Sequence, residues 1–209
     1  MTCALLSTTY FGPVQWYQKL YRFGRVEIEA HEHFVKQTYR NRCHIATAQG
    51  IQALTVPVTA VSDADRGIAS VRISDHGNWR HLHWQAITSA YGDSPFLEYY
   101  EDDLRPFFFE RRWETLFDFN WDIFTKMCHL IDIQPHVELT TNYAKKIDSI
   151  DSRPIADYRG IICPKHAAPD PDFVPKPYYQ VFSQRHGFLP NLSILDLLLN
   201  MGPESIYYL

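Results

Sequence analysis

No excess of charge of one sign, no long apolar run and no cluster of glycine or cysteine marks this chain, and each absence removes a class of function. Lys and Arg number 20 against 24 Asp and Glu, for a net charge of -4 and a pI near 6.2. No overall basic field exists to attract a polyanion, so nucleic acid is not expected as a partner and any anion site must be local. Cys3, Cys43, Cys128 and Cys163 form no C-x-x-C pair, which leaves neither a zinc ribbon nor a redox dithiol and predicts free thiols in a reducing cytosol. The first apolar run stops at Ser7 with no basic region before it. It is too short for a signal peptide or a spanning helix, so a cytoplasmic protein with no membrane insertion is expected. Gly12 and Gly24 stand alone, so there is no Gly-rich phosphate loop, and neither a G-x-S-x-G elbow nor an internal repeat occurs.

What is present is aromatic: 13 Tyr, 13 Phe and 5 Trp, or 15% of the chain, within a hydrophobic content of 45%. That composition excludes general disorder, and 209 residues are enough to bury a core in one domain spanning 1–209. Ala4 to Tyr10 reads as a buried strand, Gly12-Pro13 as a turn, Val14 to Phe23 as an amphipathic helix and Arg25 to Ala30 as a second strand. Ile51 to Val61, interrupted by Pro57, reads as an edge strand and Val71 to Ser74 as a short one. Asn78 is a candidate N-cap for a helix to about Tyr91, and Ser94-Pro95 for the next, which Pro106 ends. Apolar residues at helical spacing from Trp113 to Ile133 predict a core helix. Val137 to Thr141 reads as a strand, and Asp148 to Lys176, rich in Pro and Asp, as a long loop with a short strand at Ile161-Ile162. A last helix runs from the N-cap Asn191 through Leu199 to a Gly202-Pro203 stop. The fold class predicted is therefore α/β, with an N-terminal β-α-β start, a mostly helical centre and a C-terminal helix, an order that admits a Rossmann-like sheet.

Candidate chemistry is sparse. His31 and His33 share a face only if HEH is extended, where a third ligand would make a metal site and a metal-dependent hydrolase; the ordinary reading is polar loop residues. His83, between Leu82 and Trp84, is placed to be partly buried. Glu98, Glu101, Asp102 and Asp103 spread around a helix as a solvated face. Asp196 sits in an apolar run and calls for a partner, such as an arginine. The densest feature is KQTYRNRCHI, Lys36 to Ile45. As a strand it lines up Lys36, Arg40, Arg42 and His44 on one face; as a helix Lys36, Arg40 and His44 still share a face. Two readings stay open: an edge strand salt-bridged to the 98–103 carboxylates, or an anion pocket in which Arg40, Arg42, Asn41 and Lys36 grip a phosphate or carboxylate and Tyr39 and Tyr91 supply stacking walls.

TTYFGPVQWYQKL, YRNRCHI, HLHWQAITSAYGDSPFLEYY and FLPNLSILDLLLN together resemble the WbqC-like family of bacterial proteins, over about residue 5 to 203. The resemblance implies a place in O-antigen or other surface-polysaccharide biosynthesis. It also implies a transferase that moves an amino acid or acyl group from an activated donor to an amino sugar. Lys36, Arg40, Asn41 and Arg42 match the family's basic Asn-Arg motif and would bind a phosphate- or carboxylate-bearing small molecule; Tyr10, Gln15 and Tyr17 match its aromatic N-terminal loop, and His83 would be the general base. The sequence leaves the cofactor unknown. Two departures stand out: the stretch Asp148 to Lys176 where longer members carry a further βα unit, and Thr8-Thr9 where many carry Gln-Pro. Because no nucleophile or metal cluster demands catalysis, a non-catalytic ligand- or partner-binding protein is the alternative, and the metal-dependent hydrolase a weaker one.

Overall fold

The CALLS segment is apolar on both faces because it becomes the central strand of a parallel sheet. The computed structural model of the chain describes residues 2–60, 67–143, 149–150, 153–165 and 167–209. Strand β1 (Cys3–Ser7) leads into helix α1 (Val14–Arg22) and strand β2 (Val26–Glu29), which pairs with β1 in parallel. β5 (Val137–Leu139) adds to the far side of β2, and β7 (Arg153–Asp157) to the other side of β1, both parallel. β6 (Ser149–Ile150) closes the edge antiparallel to β7, giving the order β5-β2-β1-β7-β6. From β1 the chain thus works outward through β2 to β5 and then returns to the opposite side of β1, so the order reverses between β1 and β7. The sheet shares its parallel core and this switch point with Rossmann-like folds; it differs in having no helix among the described residues between β5 and β7.

KQTYRNRCHI is not one element. Lys36 to Asn41 are turns, and the strand β3 begins only at Arg42, running to Thr47 and pairing antiparallel with β4 (Gly50–Thr55) as a separate two-stranded sheet. Asn41 sets that boundary: its Nδ2 donates to Val56 O (2.9 Å) and its carbonyl accepts from Val56 N (2.8 Å), bracketing the base of the hairpin. Pro57 lies past the end of β4, where its missing N–H costs no ladder bond, and Val61 lies outside the described residues.

The centre is helical: α2 (Trp79–Tyr91), α3 (Leu97–Leu104), α4 (Pro106–Phe109) and α5 (Leu116–Leu130). Several expected caps fall elsewhere. Asn78 adopts a left-handed conformation with no capping bond, Ser94 Oγ donates to Tyr91 O instead of capping, and after the short α6 (Ser183–His186) Asn191 gives way to Ser193 as N-cap of α7 (Ile194–Met201). Val71 to Ser74 makes isolated bridges, Arg72 with Thr115 and Ile73 with Val58, but no strand. The stretch from Asp148 to Lys176 hides the pair β6 and β7, while Ile161-Ile162 lies in a turn. RPIAD does not alternate in polarity, so period-2 reasoning does not find it.

α7 is enclosed on all sides: Ile194, Leu195, Leu197, Leu198 and Leu199 are fully buried. Its entry interlocks with the N-terminal loop, for Val14 N donates to Leu192 O (2.9 Å), Ile194 N to Gly12 O (2.8 Å) and Ser193 Oγ to Phe11 O (2.8 Å). Ser193 N in turn donates to His44 O (2.8 Å) on β3. The three motifs YFGPV, RNRCHI and NLSILD therefore meet in space through main-chain hydrogen bonds. Among the described residues no helix is long and apolar enough to cross a membrane.

Candidate functional site

In open α/β sheets, ligands bind beyond the carboxyl ends of the strands at the point where strand order reverses, because the loops there part in opposite directions and leave a crevice. Here that point lies between β1 and β7. A narrow crevice opens there, with a cavity volume of about 10 Å³, lined by Ser7, Thr8 and Thr9 after β1, by Tyr158 and Arg159 after β7, and by Trp16, Tyr39 and Arg40.

Two arginines are fixed in it, each by carboxylates from neighbouring strand ends. Arg40 Nε donates to Glu32 Oε1 (2.7 Å), its Nη2 bonds Glu32 Oε2 and Ser7 Oγ (2.8 Å), and Ser7 Oγ donates on to Glu32 Oε2 (3.0 Å). The pair is buried, with side chains 10% and 6% exposed. Asn120 of α5 holds the turn from behind, its Nδ2 donating to Arg40 O (2.7 Å). One edge of the guanidinium is thus consumed, whereas Nη1 has no partner among the described residues. Arg159 bonds Asp157 through Nε (2.9 Å) and Nη2 (2.6 Å) and Glu29 through Nη1 (2.9 Å). Hydrogen bonding to Asp157 raises the Arg159 pKa; at Asp157 burial pulls upward, but the bonds and charge of Arg159 outweigh it and hold the carboxyl below its usual value. Tyr39 and Tyr158 are each pushed up to about 12, chiefly by burial, so both phenols stay protonated. Thr9 Oγ1 is buried and has no hydrogen-bond partner.

Of the residues expected from the sequence, Arg40 and Tyr39 line this crevice. Lys36 is exposed in a turn, and Arg42 turns its Nε to Thr55 Oγ1 (2.9 Å) along the hairpin. The counter-charges of the cluster are not those expected: Asp103 pairs with Lys126 (3.0 Å), and Asp196 accepts from Tyr91 Oη (2.9 Å), Tyr178 Oη (2.7 Å) and Gln180 Nε2 (2.8 Å) with no arginine in reach. Tyr91 and Tyr17 are fully buried in the core, and Gln15 ties α1 to Asp170 and Asn191. Tyr10 hydrogen-bonds His83 Nδ1 at 2.9 Å. Burial lifts the Tyr10 pKa well above normal and pushes His83 down to about 4, so at neutral pH the phenol donates to a neutral imidazole. His83 does not line the crevice. His31 is exposed and its Nε2 meets Thr140 O (3.0 Å); among the described residues no three His, Cys, Asp or Glu side chains gather as metal ligands.

Ser7, Glu32, Asp157 and Arg159 escaped the sequence reading. Glu32 stood inside HEH, where the histidines drew attention, and its signal was an acid eight residues from Arg40 across a turn. Arg159 could be placed only once β7 was known to be a strand.

Residues 8–158, well over half of the chain, match the WbqC-like protein family. The chain belongs to this family. The match covers Thr8, Thr9, Tyr39, Arg40 and Tyr158 of the crevice but neither Ser7 nor Arg159, and it stops before α7, short of the expected reach to about residue 203. The WbqC-like chain is also 26% identical over 199 residues to the "Uncharacterized protein Rv1507c" of Mycobacterium tuberculosis, covering 84% of this chain and 83% of that protein. No solved structure matches it.

Proposed function

We propose that this WbqC-like protein is a transferase of bacterial surface-polysaccharide biosynthesis. It moves an amino acid or acyl group from an activated donor to an amino sugar, and the anionic group of its substrate meets Arg40 at the mouth of the crevice between β1 and β7. The observation that supports this reading is Arg40, clamped along one edge by Glu32 and Ser7 while Nη1 keeps no partner. A guanidinium so fixed pays little entropy to meet a phosphate or carboxylate oxygen, and the nearby Thr9 hydroxyl adds an unused polar group. Arg42 and Lys36 lie off the crevice, so the anion contact falls to Arg40, with Arg159 opposite.

The test is a thermal-shift screen against nucleotide-sugars, nucleotides, phosphosugars and aminoacyl donors. A ligand at about 100 times its Kd adds about 2.7 kcal/mol, a rise of roughly 5–10 °C for a chain of this size. Arg40→Ala would leave Glu32 buried and unpaired, so the informative variants are Arg40→Lys and Thr9→Val, which keep the fold. Stabilisation by a phosphate-bearing ligand that both variants weaken supports the crevice; no shift with any donor class overturns the proposal.

The position of His83 favours a second reading, a non-catalytic binder of the same ligand. A base locked behind Tyr10 and titrating at about 4 cannot easily take a proton from an acceptor amine at neutral pH. Mass spectrometry of an amino-sugar acceptor after incubation with the donor found in the screen separates the two, since only the transferase adds mass to the acceptor.

A further inference from the structure

A larger cleft lies between the start of α2 and α4, with a volume of about 290 Å³, and shares no residue with the crevice. Its walls include Asp75, Trp79, Arg80, Phe108, Phe109 and Arg112. Two arginines against one aspartate leave one positive charge on the lining. Arg80 is built in: its side chain is only 9% exposed, its guanidinium lies 4.4 Å over the Trp79 ring, and its Nη1 pairs with Asp75. Its Nε is nonetheless buried with no hydrogen-bond partner. That atom is closed to solvent as well, so a ligand oxygen would meet the guanidinium at Nη2, which makes no hydrogen bond among the described residues. Asp75, by contrast, has a side chain 74% exposed, and a carboxylate so solvated is easily displaced.

The remaining features fit the same kind of guest. Arg112 is exposed and reaches only the carbonyls of Phe108 (3.5 Å) and Arg111 (3.3 Å), with no carboxylate partner among the described residues. Phe109 is 37% exposed and lines the cleft, with the Arg105 guanidinium 5.4 Å from its ring centroid and the Trp84 and His81 rings in T-shaped contact with it. The geometry points to a second ligand site in this cleft for a mononucleotide, its phosphate bridged by Arg80 and Arg112 and its base stacked on Phe109. Arginine forks suit a phosphate's fixed array of oxygens, and base-on-aromatic stacking is favourable for any base, so the site selects phosphate plus flat ring and not one base. This inference is independent of the crevice.

Calorimetric titration with adenosine 5′-monophosphate tests it, with inorganic phosphate and adenosine as the two half-ligands. Titrated in the Arg40→Lys background, which removes the crevice's own hold on a phosphate, saturable binding of the nucleotide is expected, about tenfold or more tighter than either half and weakened about tenfold when Arg112→Ala or Phe109→Ala is added. Arg112 is exposed, so its variant stays folded, which circular dichroism verifies. Absence of saturable binding, equal binding of inorganic phosphate, or binding lost in Arg40→Lys but kept in Arg112→Ala would each overturn the site.

Discussion

Lys19 carries its ammonium into an enclosed place: its side chain is 1% exposed, Nζ lies 2.7 Å from Asp170 Oδ2, and the Tyr158 ring centroid is 4.5 Å away. Gln15 Nε2 donates to the same oxygen (2.7 Å). Burial works to raise the Asp170 pKa, but the Lys19 and Gln15 hydrogen bonds outweigh it and hold the carboxyl below its ordinary value. Removing one partner leaves a buried charge alone, so Asp170→Ala is expected to lower stability by about 3–5 kcal/mol in a denaturant titration, whereas Lys19→Met with Asp170→Leu stays near the wild type. His83 makes a second test. Its imidazole titrates at about 4 in the fold and at 6.5 when unperturbed, because burial disfavours the cation. The unfolded state therefore binds more protons between these values, and stability falls as pH drops from 6.5 toward 4, by about 3 kcal/mol in all. In His83→Gln that slope should flatten, and an NMR titration that finds the imidazole pKa near 6.5 would refute the burial argument.

At the scale of elements, the helices with a strong apolar period were legible, because burial of one face is written directly into spacing: α1, α2, α5 and α7 all stand within a few residues of expectation. Caps were less so, since a capping hydroxyl is chosen by which backbone N–H it reaches. Ser193 serves α7 by accepting from Leu195 N (3.2 Å) while donating to Phe11 O, so Ser193→Ala should cost about 1–2 kcal/mol, read as a lowered Tm. Gly202, at φ 54, ends α7 where an added Cβ would strike the Phe96 ring. Gly202→Ala therefore suffers both backbone strain and overpacking, and it should destabilise by more than the roughly 1 kcal/mol expected of a simple glycine C-cap.

For the whole molecule, the C-terminal segment supplies a core helix, α7, packed against α1, α2, α3 and β3. Removing residues 188–209 takes away α7, the caps on the YFGPV loop and the partner of Tyr91, so the truncated chain should lose its near-ultraviolet circular dichroism and unfold without a cooperative transition. Retention of a sharp transition would show that the sheet stands without this helix. The candidate site depends on the same long-range order. Its lips come from residues 7–9, 39–40 and 158–159, brought together only when β7 docks beside β1.

The sequence by itself determined the fold class, the β-α-β start, the main helices and the family, because apolar period and motif identity are local properties of the chain. Only the tertiary structure decided which cation lines the crevice. Arg40 and Arg42 look alike in the sequence, but a turn ends and a strand begins between them. One guanidinium is thereby delivered to Glu32 and the crevice, and the other to the outside of a hairpin. Side-chain direction and charge pairing follow from strand order and register, and these are fixed by packing across distant parts of the chain.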